Sequence, residues 1–302
     1  MTHYSVNVSG GFGSFAALLS IATTQESFSA SFAETNIEHP DLYRFLVETI
    51  KGIAGQPVGA FLSNLIDSVP PLNEIELRKK HLKLLGNQLA FEVPWFHYIS
   101  SDDTPFDIFV KRKFAGGMKG DPCSLELKRE PLDAYNRKLH EQYGNLKVVV
   151  GIGDEEKHRM IAMYAKENLP WTWCAPLIDS PDSVSKAYEF LGKYSIALPE
   201  LYNLGFAHNN CGGFCIKSGQ QQATLLYRKL PNDYLWFESQ EERLREVLPK
   251  YRHQYIGHIR KVTKGISRWY TLREWRTEVL EKQDNPDIEN DSMGCACFTT
   301  VD

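Results

Sequence analysis

The chain has 302 residues, 42% hydrophobic and 24% charged, proportions that exclude a mainly disordered or fibrous protein. Lys and Arg total 34 against 38 Asp and Glu, a net charge of -4, so the chain is not a globally basic nucleic-acid coat. The longest apolar run, around Phe15 to Ala22, is too short to span a bilayer, and Met1-Thr2-His3-Tyr4 opens no secretory leader. The expectation is a cytoplasmic protein with no membrane partner, whose six cysteines stay reduced, bind metal or do chemistry.

Tyr4 to Val8 alternates apolar and polar residues and predicts a strand, which stops at Ser9-Gly10-Gly11-Phe12-Gly13-Ser14. Phe15 to Thr24 predicts a helix, and Ser27 to Ala33 a second strand. Pro40 is a plausible first helical residue for the pattern Leu42, Phe45, Leu46, Ile50. The stretch from Gly55 to Asp121 predicts an irregular insertion, partly helical near Glu74 to Leu89. Leu146 to Ile152 predicts a strand buried on both faces, Asp154 to Glu167 a helix, Trp171 to Ile178 a strand, and Ser183 to Lys193 a helix. Strands alternating with helices predict an α/β fold on a parallel sheet. The expected division is an α/β domain over 1–200 and a C-terminal helical, cysteine-containing and basic-aromatic subdomain over 201–302.

A glycine loop between a first strand and a helix can cradle phosphate, because its backbone N–H groups approach the oxygens and the helix N-terminus favours negative charge. Ser9 and Ser14 would add hydroxyls; the loop lacks the Gly-Lys-Ser/Thr ending of a Walker A motif. The plain alternative is a tight strand-to-helix turn without a ligand.

Ser9-Gly10-Gly11-x-Gly13-Ser14 resembles the pyrophosphate-binding loop of the PP-loop ATP pyrophosphatases. Phe32-Ala33-Glu34-Thr35-Asn36, with Glu38-His39-Pro40 following, is similar to the end of the second strand in the phosphoadenosine phosphosulfate (PAPS) reductase branch. Pro122-Cys123-Ser124, Leu127-Lys128-Arg129 and Pro131-Leu132 resemble that branch's Cys-x-x-x-x-Lys-x-x-Pro-Leu element, and Gly151 to Arg159 its later Gly-x-x-x-x-Glu-x-x-Arg element. The block His208 to Cys215 and the tail Gly294-Cys295-Ala296-Cys297-Phe298 look like those of a phage and bacterial PAPS-reductase-like group. The resemblance implies a Rossmann-like, HUP-type five-stranded parallel sheet with helices on both faces. It also implies an adenine nucleotide, ATP or PAPS with or without Mg2+, held by Ser9, Gly10, Gly11, Gly13, Ser14, Thr35, Lys128, Arg129 and Arg159. Gly13 stands where the ATP-using enzymes carry an aspartate, and the Glu-Cys-Gly-x-His tail of true PAPS reductases is absent.

Cys211 and Cys215 flank Gly212-Gly213-Phe214, and Cys295 and Cys297 form a second close pair. With Cys123 these are candidate ligands for zinc or an iron–sulfur cluster. Without metal, Cys211 and Cys215 are candidate catalytic thiols, one attacking and one resolving, with Lys217 placed to favour a thiolate. Reduced cysteines packing as small hydrophobes are the bland alternative, which suits Cys174.

Lys111 to Lys113 predicts a solvated charged face, whereas Lys128 and Arg129 are candidates for phosphate or sulfate. From Pro249 to Arg276 eight basic residues meet one acid, Glu274, and interleave with Tyr251, Tyr255, Trp269, Tyr270 and Trp275. That mixture suits a nucleic-acid acceptor, tRNA or DNA, or an amphipathic helical pair with snorkelling basic stems. Thr271-x-x-Glu274 predicts a capping box. The leading expectation is nucleotidyl activation, ATP to AMP and pyrophosphate, coupled to sulfur transfer. The alternatives are reduction of PAPS or a related sulfonucleotide by a cysteine thiol, and a nucleotide-binding protein without catalysis.

Overall fold

Strand β1 (His3–Val8) leads into α1 (Phe12–Thr24), and β2 (Phe28–Ala33) into α2 (Pro40–Ile53). The computed structural model describes residues 1–115, 120–164, 169–180, 182–249, 259–263 and 266–282. Next come α3 (Ala60–Asp67), α4 (Ile75–Glu92), β3 (Phe96–Ile99) and α5 (Pro105–Arg112). A short turn of helix, α6 (Pro122–Ser124), widens over Leu125–Arg129 and continues as α7 (Glu130–Tyr143). Then β4 (Leu146–Val149), α8 (Lys157–Tyr164), β5 (Thr172–Cys174), α9 (Pro176–Asp179) and α10 (Asp182–Tyr194) complete the sheet and its layers. The remainder holds α11 (Glu200–Asn203), α12 (Gln220–Lys229), α13 (Pro231–Val247), a hairpin of β6 (Arg260–Thr263) and β7 (Ile266–Trp269), and α14 (Leu272–Glu274), which widens to Leu280.

The sheet is parallel throughout, in the order β3-β2-β1-β4-β5. Its pleat sorts the strand residues by face. Val6, Val8, Ala30, Phe32, Phe96 and Tyr98 join one core with Phe15 and Leu18 of α1, Phe45 of α2, Leu85 of α4 and Leu191 of α10. The other face is more polar and meets α7: Ser5 donates to Asn136 at 2.7 Å, and His97 stacks on Tyr135 with ring centroids 4.3 Å apart. Pro40 opens α2 as expected, capped by His39, whose Nδ1 accepts from the Asp41 N–H.

Three expectations need correction. In the stretch 55–121 the helix expected near Glu74 to Leu89 is present as α4, but the rest is more regular than expected, with α3, α5 and the edge strand β3; four residues of strand with an exposed His97 leave too short a pattern to read. The strand from Leu146 ends at Val149, so Gly151-Ile152-Gly153 forms a loop. Of Trp171 to Ile178 only Thr172–Cys174 pairs; Pro176, lacking a backbone donor, opens α9 instead. The helix after Gly153 begins as a tight turn at Asp154–Glu156 before α8, and residues 165–168 lie outside the described ones.

A second core gathers Leu201, Phe206, Phe214, Tyr234, Phe237, Leu244 and Trp275 around Phe106 and Phe109 of α5. Trp275 is fully buried and donates its indole N–H to Thr224 at 3.1 Å. The capping box at Thr271 and Glu274 forms in both directions. Among the described residues no helix is long and apolar enough to cross a membrane.

Candidate functional site

The chain leaves the carboxyl end of β1 at Ser9 and turns directly into α1. Gly11 is the N-cap, and neither a capping side chain nor an acidic residue occupies the first turn. A helix of 13 residues thus points its amide dipoles outward with no anion of its own. Ser14 braces the loop: its hydroxyl donates to the Gly11 carbonyl at 2.9 Å and accepts from the Ser9 N–H at 3.1 Å. The Ser9 hydroxyl donates to it at 3.2 Å. The Phe12 N–H meets the Tyr202 hydroxyl at 3.4 Å.

Gly13 lies against the loop that follows β4. A Cβ on Gly13 would stand 2.8 Å from the Gly151 carbonyl oxygen, and one on Gly151 would stand 2.5 Å from the Ser14 nitrogen. The two loops touch backbone to backbone, which leaves no room for the aspartate that the resembling enzymes carry at Gly13.

A cleft of about 830 Å³ opens over these loops. It lies off the carboxyl ends of β1 and β4, where an open parallel sheet changes its winding direction and receives ligands; its size is within the range of small-molecule sites. Ser9, Gly11, Gly13, Ser14, Lys128 and Arg159 line it together. Gly10 belongs to the loop, and its carbonyl accepts from the Asn209 side-chain amide at 2.8 Å. Of the other expected residues, Thr35 lines a neighbouring cavity and Arg129 lines neither space.

Reasoning from sequence missed several parts of the wall. Phe12 and Tyr188 stack with ring centroids 4.5 Å apart, and Tyr202 lies beside them. Arg159 ion-pairs with Glu156, and among the described residues its buried Nε has no hydrogen-bond partner. Asn209 is buried, and among the described residues its Oδ1 has none either. The one signal for Asn209 was its place beside Cys211 in the His208 to Cys215 block.

Behind Lys128 the polar groups run inward. The Lys128 Nζ is 3.4 Å from Glu38 Oε1, which also accepts from the Thr35 hydroxyl at 2.9 Å, and the Cys211 N–H donates to the other Glu38 oxygen. Glu34, fully buried, accepts from the Thr35 and Asn36 N–H groups and from the Tyr43 and Tyr98 hydroxyls. Burial first, then the neighbouring Glu38, pushes its carboxyl above the usual range.

Cys123, Cys211 and Cys215 line one small cavity of about 30 Å³, which shares Lys128 with the cleft. Cys211, Gly212 and Gly213 all have positive φ. A Cβ on Gly212 would stand 2.5 Å from the Ile37 carbonyl oxygen, so this left-handed turn lets the cysteine loop dock on the end of β2. Among the described residues none of the three forms a disulfide. Burial, reinforced by Asp121, pushes the Cys123 thiol up to about 11, which argues against a resting thiolate there. Lys217 lines the same cavity and ion-pairs with Asp121.

Among the described residues no group of three or more His, Cys, Asp or Glu can hold a metal ion. Cys295 and Cys297, the other two candidate ligands, lie outside the described residues.

The described residues of the basic-aromatic stretch 249–276 do not form a helical pair. They contain the antiparallel hairpin of β6 and β7, in keeping with β-branched Val262, Thr263 and Ile266 around a Lys264-Gly265 dipeptide. Tyr251 and Tyr255 lie outside the described residues. Trp275 is core, while Arg268 pairs with Glu278, and Arg273 and Arg276 with Glu238. Lys111 and Arg112 pair at the surface with Asp103 and Glu126. No protein-family model matches the chain, and no curated protein matches it.

Proposed function

We propose that the protein is an adenine-nucleotide-binding enzyme of the PP-loop, PAPS-reductase-like kind. In this reading the loop Ser9 to Ser14 and the open end of α1 receive the phosphates, and Arg159 and Lys128 meet their charge from the flanking walls. The observation that carries it is the first turn of α1, with no side-chain bond from its N-cap residue and no acidic residue, opening onto the cleft at the carboxyl ends of β1 and β4. The strand order β3-β2-β1-β4-β5 supports the HUP-type form of the sheet. The stacked Phe12 and Tyr188 rings offer an apolar end for a base.

The chemistry proposed is nucleotidyl activation coupled to sulfur transfer: an acceptor takes the adenylyl group of ATP as pyrophosphate leaves, and a sulfur nucleophile then displaces AMP from that acceptor. Backbone N–H groups of the loop would stabilise charge developing on pyrophosphate. Cys211 and Cys215 are the thiols nearest in chain to the cleft-lining His208 to Asn210, and their cavity shares Lys128 with it. A second reading, a nucleotide-binding protein that turns nothing over, draws on Gly13, where no carboxylate side chain is available. Ser14→Ala and Cys211→Ser separate the two. An enzyme loses nucleotide-dependent turnover with either change. A binder loses affinity with Ser14→Ala and is indifferent to Cys211→Ser.

A further inference from the structure

Glu38 is 1% exposed and lies between the end of β2 and the start of α2. Its Oε1 accepts from the Thr35 hydroxyl at 2.9 Å and stands 3.4 Å from Lys128 Nζ, and its Oε2 accepts from the Cys211 N–H. The cation of this pair reaches the cleft and the anion does not. Lys128 lines both the cleft and the cysteine cavity, whereas Glu38 lines neither. A phosphate that enters the cleft therefore meets an ammonium already paired with a carboxylate behind it. Both side chains are largely removed from water, where two anions compete strongly for one cation.

Resting on the nucleotide reading above, we infer that Glu38 is a positioning residue, an internal counter-ion that holds Lys128 in the empty site and competes with the nucleotide phosphates for it. When Lys128 turns to phosphate, Glu38 keeps the Thr35 hydroxyl and the Cys211 N–H, so its carboxylate stays paired and the cysteine loop stays docked. When the phosphate leaves, Glu38 takes the ammonium back. The competition weakens binding of the substrate and favours release of pyrophosphate. Its strength is set by the other donors to the same carboxylate. Thr35, which lines the cysteine cavity and not the cleft, thus acts on nucleotide affinity through Glu38 rather than by touching the ligand.

The test is calorimetric titration of the full chain with ATP and with adenosine, in the native protein, Glu38→Gln, Lys128→Met and the double variant. Glutamine offers an oxygen to the Cys211 N–H and an amide N–H to the Thr35 hydroxyl while removing the charge. The expected result is that Glu38→Gln binds ATP about fivefold or more tightly than the native chain, leaves adenosine unchanged, and loses most of that gain when Lys128 is Met. Damage to the fold would weaken both ligands, so the gain for ATP alone marks competition for the ammonium. Unchanged or weaker ATP binding in Glu38→Gln, an equal gain for adenosine, or a gain that persists in full without Lys128 overturns the role of Glu38 and leaves the nucleotide reading standing. No binding of ATP by the native chain overturns both. Should Glu38→Gln fail to fold, Thr35→Val decides: with one donor lost, Glu38 holds Lys128 harder, and ATP is expected to bind more weakly than in the native chain, with no such difference in the Lys128→Met background. Native-like ATP binding by Thr35→Val overturns the inference.

Discussion

Gly13 and Gly151 meet backbone to backbone, each occupying the space that a Cβ on the other would need. This contact joins the loop after β1 to the loop after β4 and sets the floor of the cleft. It also gives a steric reason for glycine where the resembling ATP-using enzymes carry aspartate.

Gly151→Ala is expected to destabilise the fold by about 1–3 kcal/mol through overpacking against Gly13 and Ser14. Denaturant unfolding measures this, and nucleotide affinity is expected to fall with it. Unchanged stability would mean that the two loops are not held together as described.

Lys128→Met removes the ammonium from the buried Glu38 carboxylate. The Thr35 hydroxyl and the Cys211 N–H remain as partners, so the expected cost is about 1–3 kcal/mol rather than the larger loss of a solely paired buried charge. Because Lys128 lines both spaces, the same variant is expected to weaken nucleotide binding. A variant with full stability and full affinity would remove Lys128 from the account.

Glu241 is buried, accepts from the Leu272 N–H and faces Phe106, Phe237 and Ile259; burial raises its carboxyl to about 7. A raised carboxylate favours the protonated folded state. Its contribution is therefore most favourable below the unfolded value and declines as pH rises from about 4.5 to about 7. Glu241→Gln is expected to be less pH-sensitive over that window and to gain on the native chain by on the order of 3 kcal/mol across it. Parallel stability profiles for the two proteins would contradict this environment for Glu241.

The Cys123 thiol, raised to about 11, is expected to resist alkylation in the folded protein at neutral pH and to react on unfolding. Peptide mapping after a timed iodoacetamide pulse reads this. Rapid labelling of Cys123 in the folded chain would place a thiolate where burial forbids one.

Much of the sheet was legible because its signals are local. The β1–α1–β2 succession, Pro40 as a helix start, and the capping box at Thr271 each follow from a few adjacent residues. Strand β3 was not legible: it has four residues and belongs to the sheet only through pairing with β2. The β6–β7 hairpin was hidden by aromatic and basic residues that fit a helix equally well. At the site, sequence brought Ser9 to Ser14, Lys128 and Arg159 to the same cleft. It could not place Arg129 or Thr35 outside it, because the wide turn at Leu125–Arg129 and the Thr35 bond to Glu38 are tertiary facts. The bond of Asn209 to the Gly10 carbonyl and the contact of Gly13 with Gly151 depend on segments far apart in the chain, and no spacing rule announces them.

The most direct test of the central claim is calorimetric titration of the full chain with ATP in the presence of magnesium. The account predicts one saturable site, weakened about tenfold or more by Arg159→Met, which removes a charge-assisted contact from the cleft. Absence of saturable binding for both ATP and PAPS, or binding that Arg159→Met leaves unchanged, would contradict it.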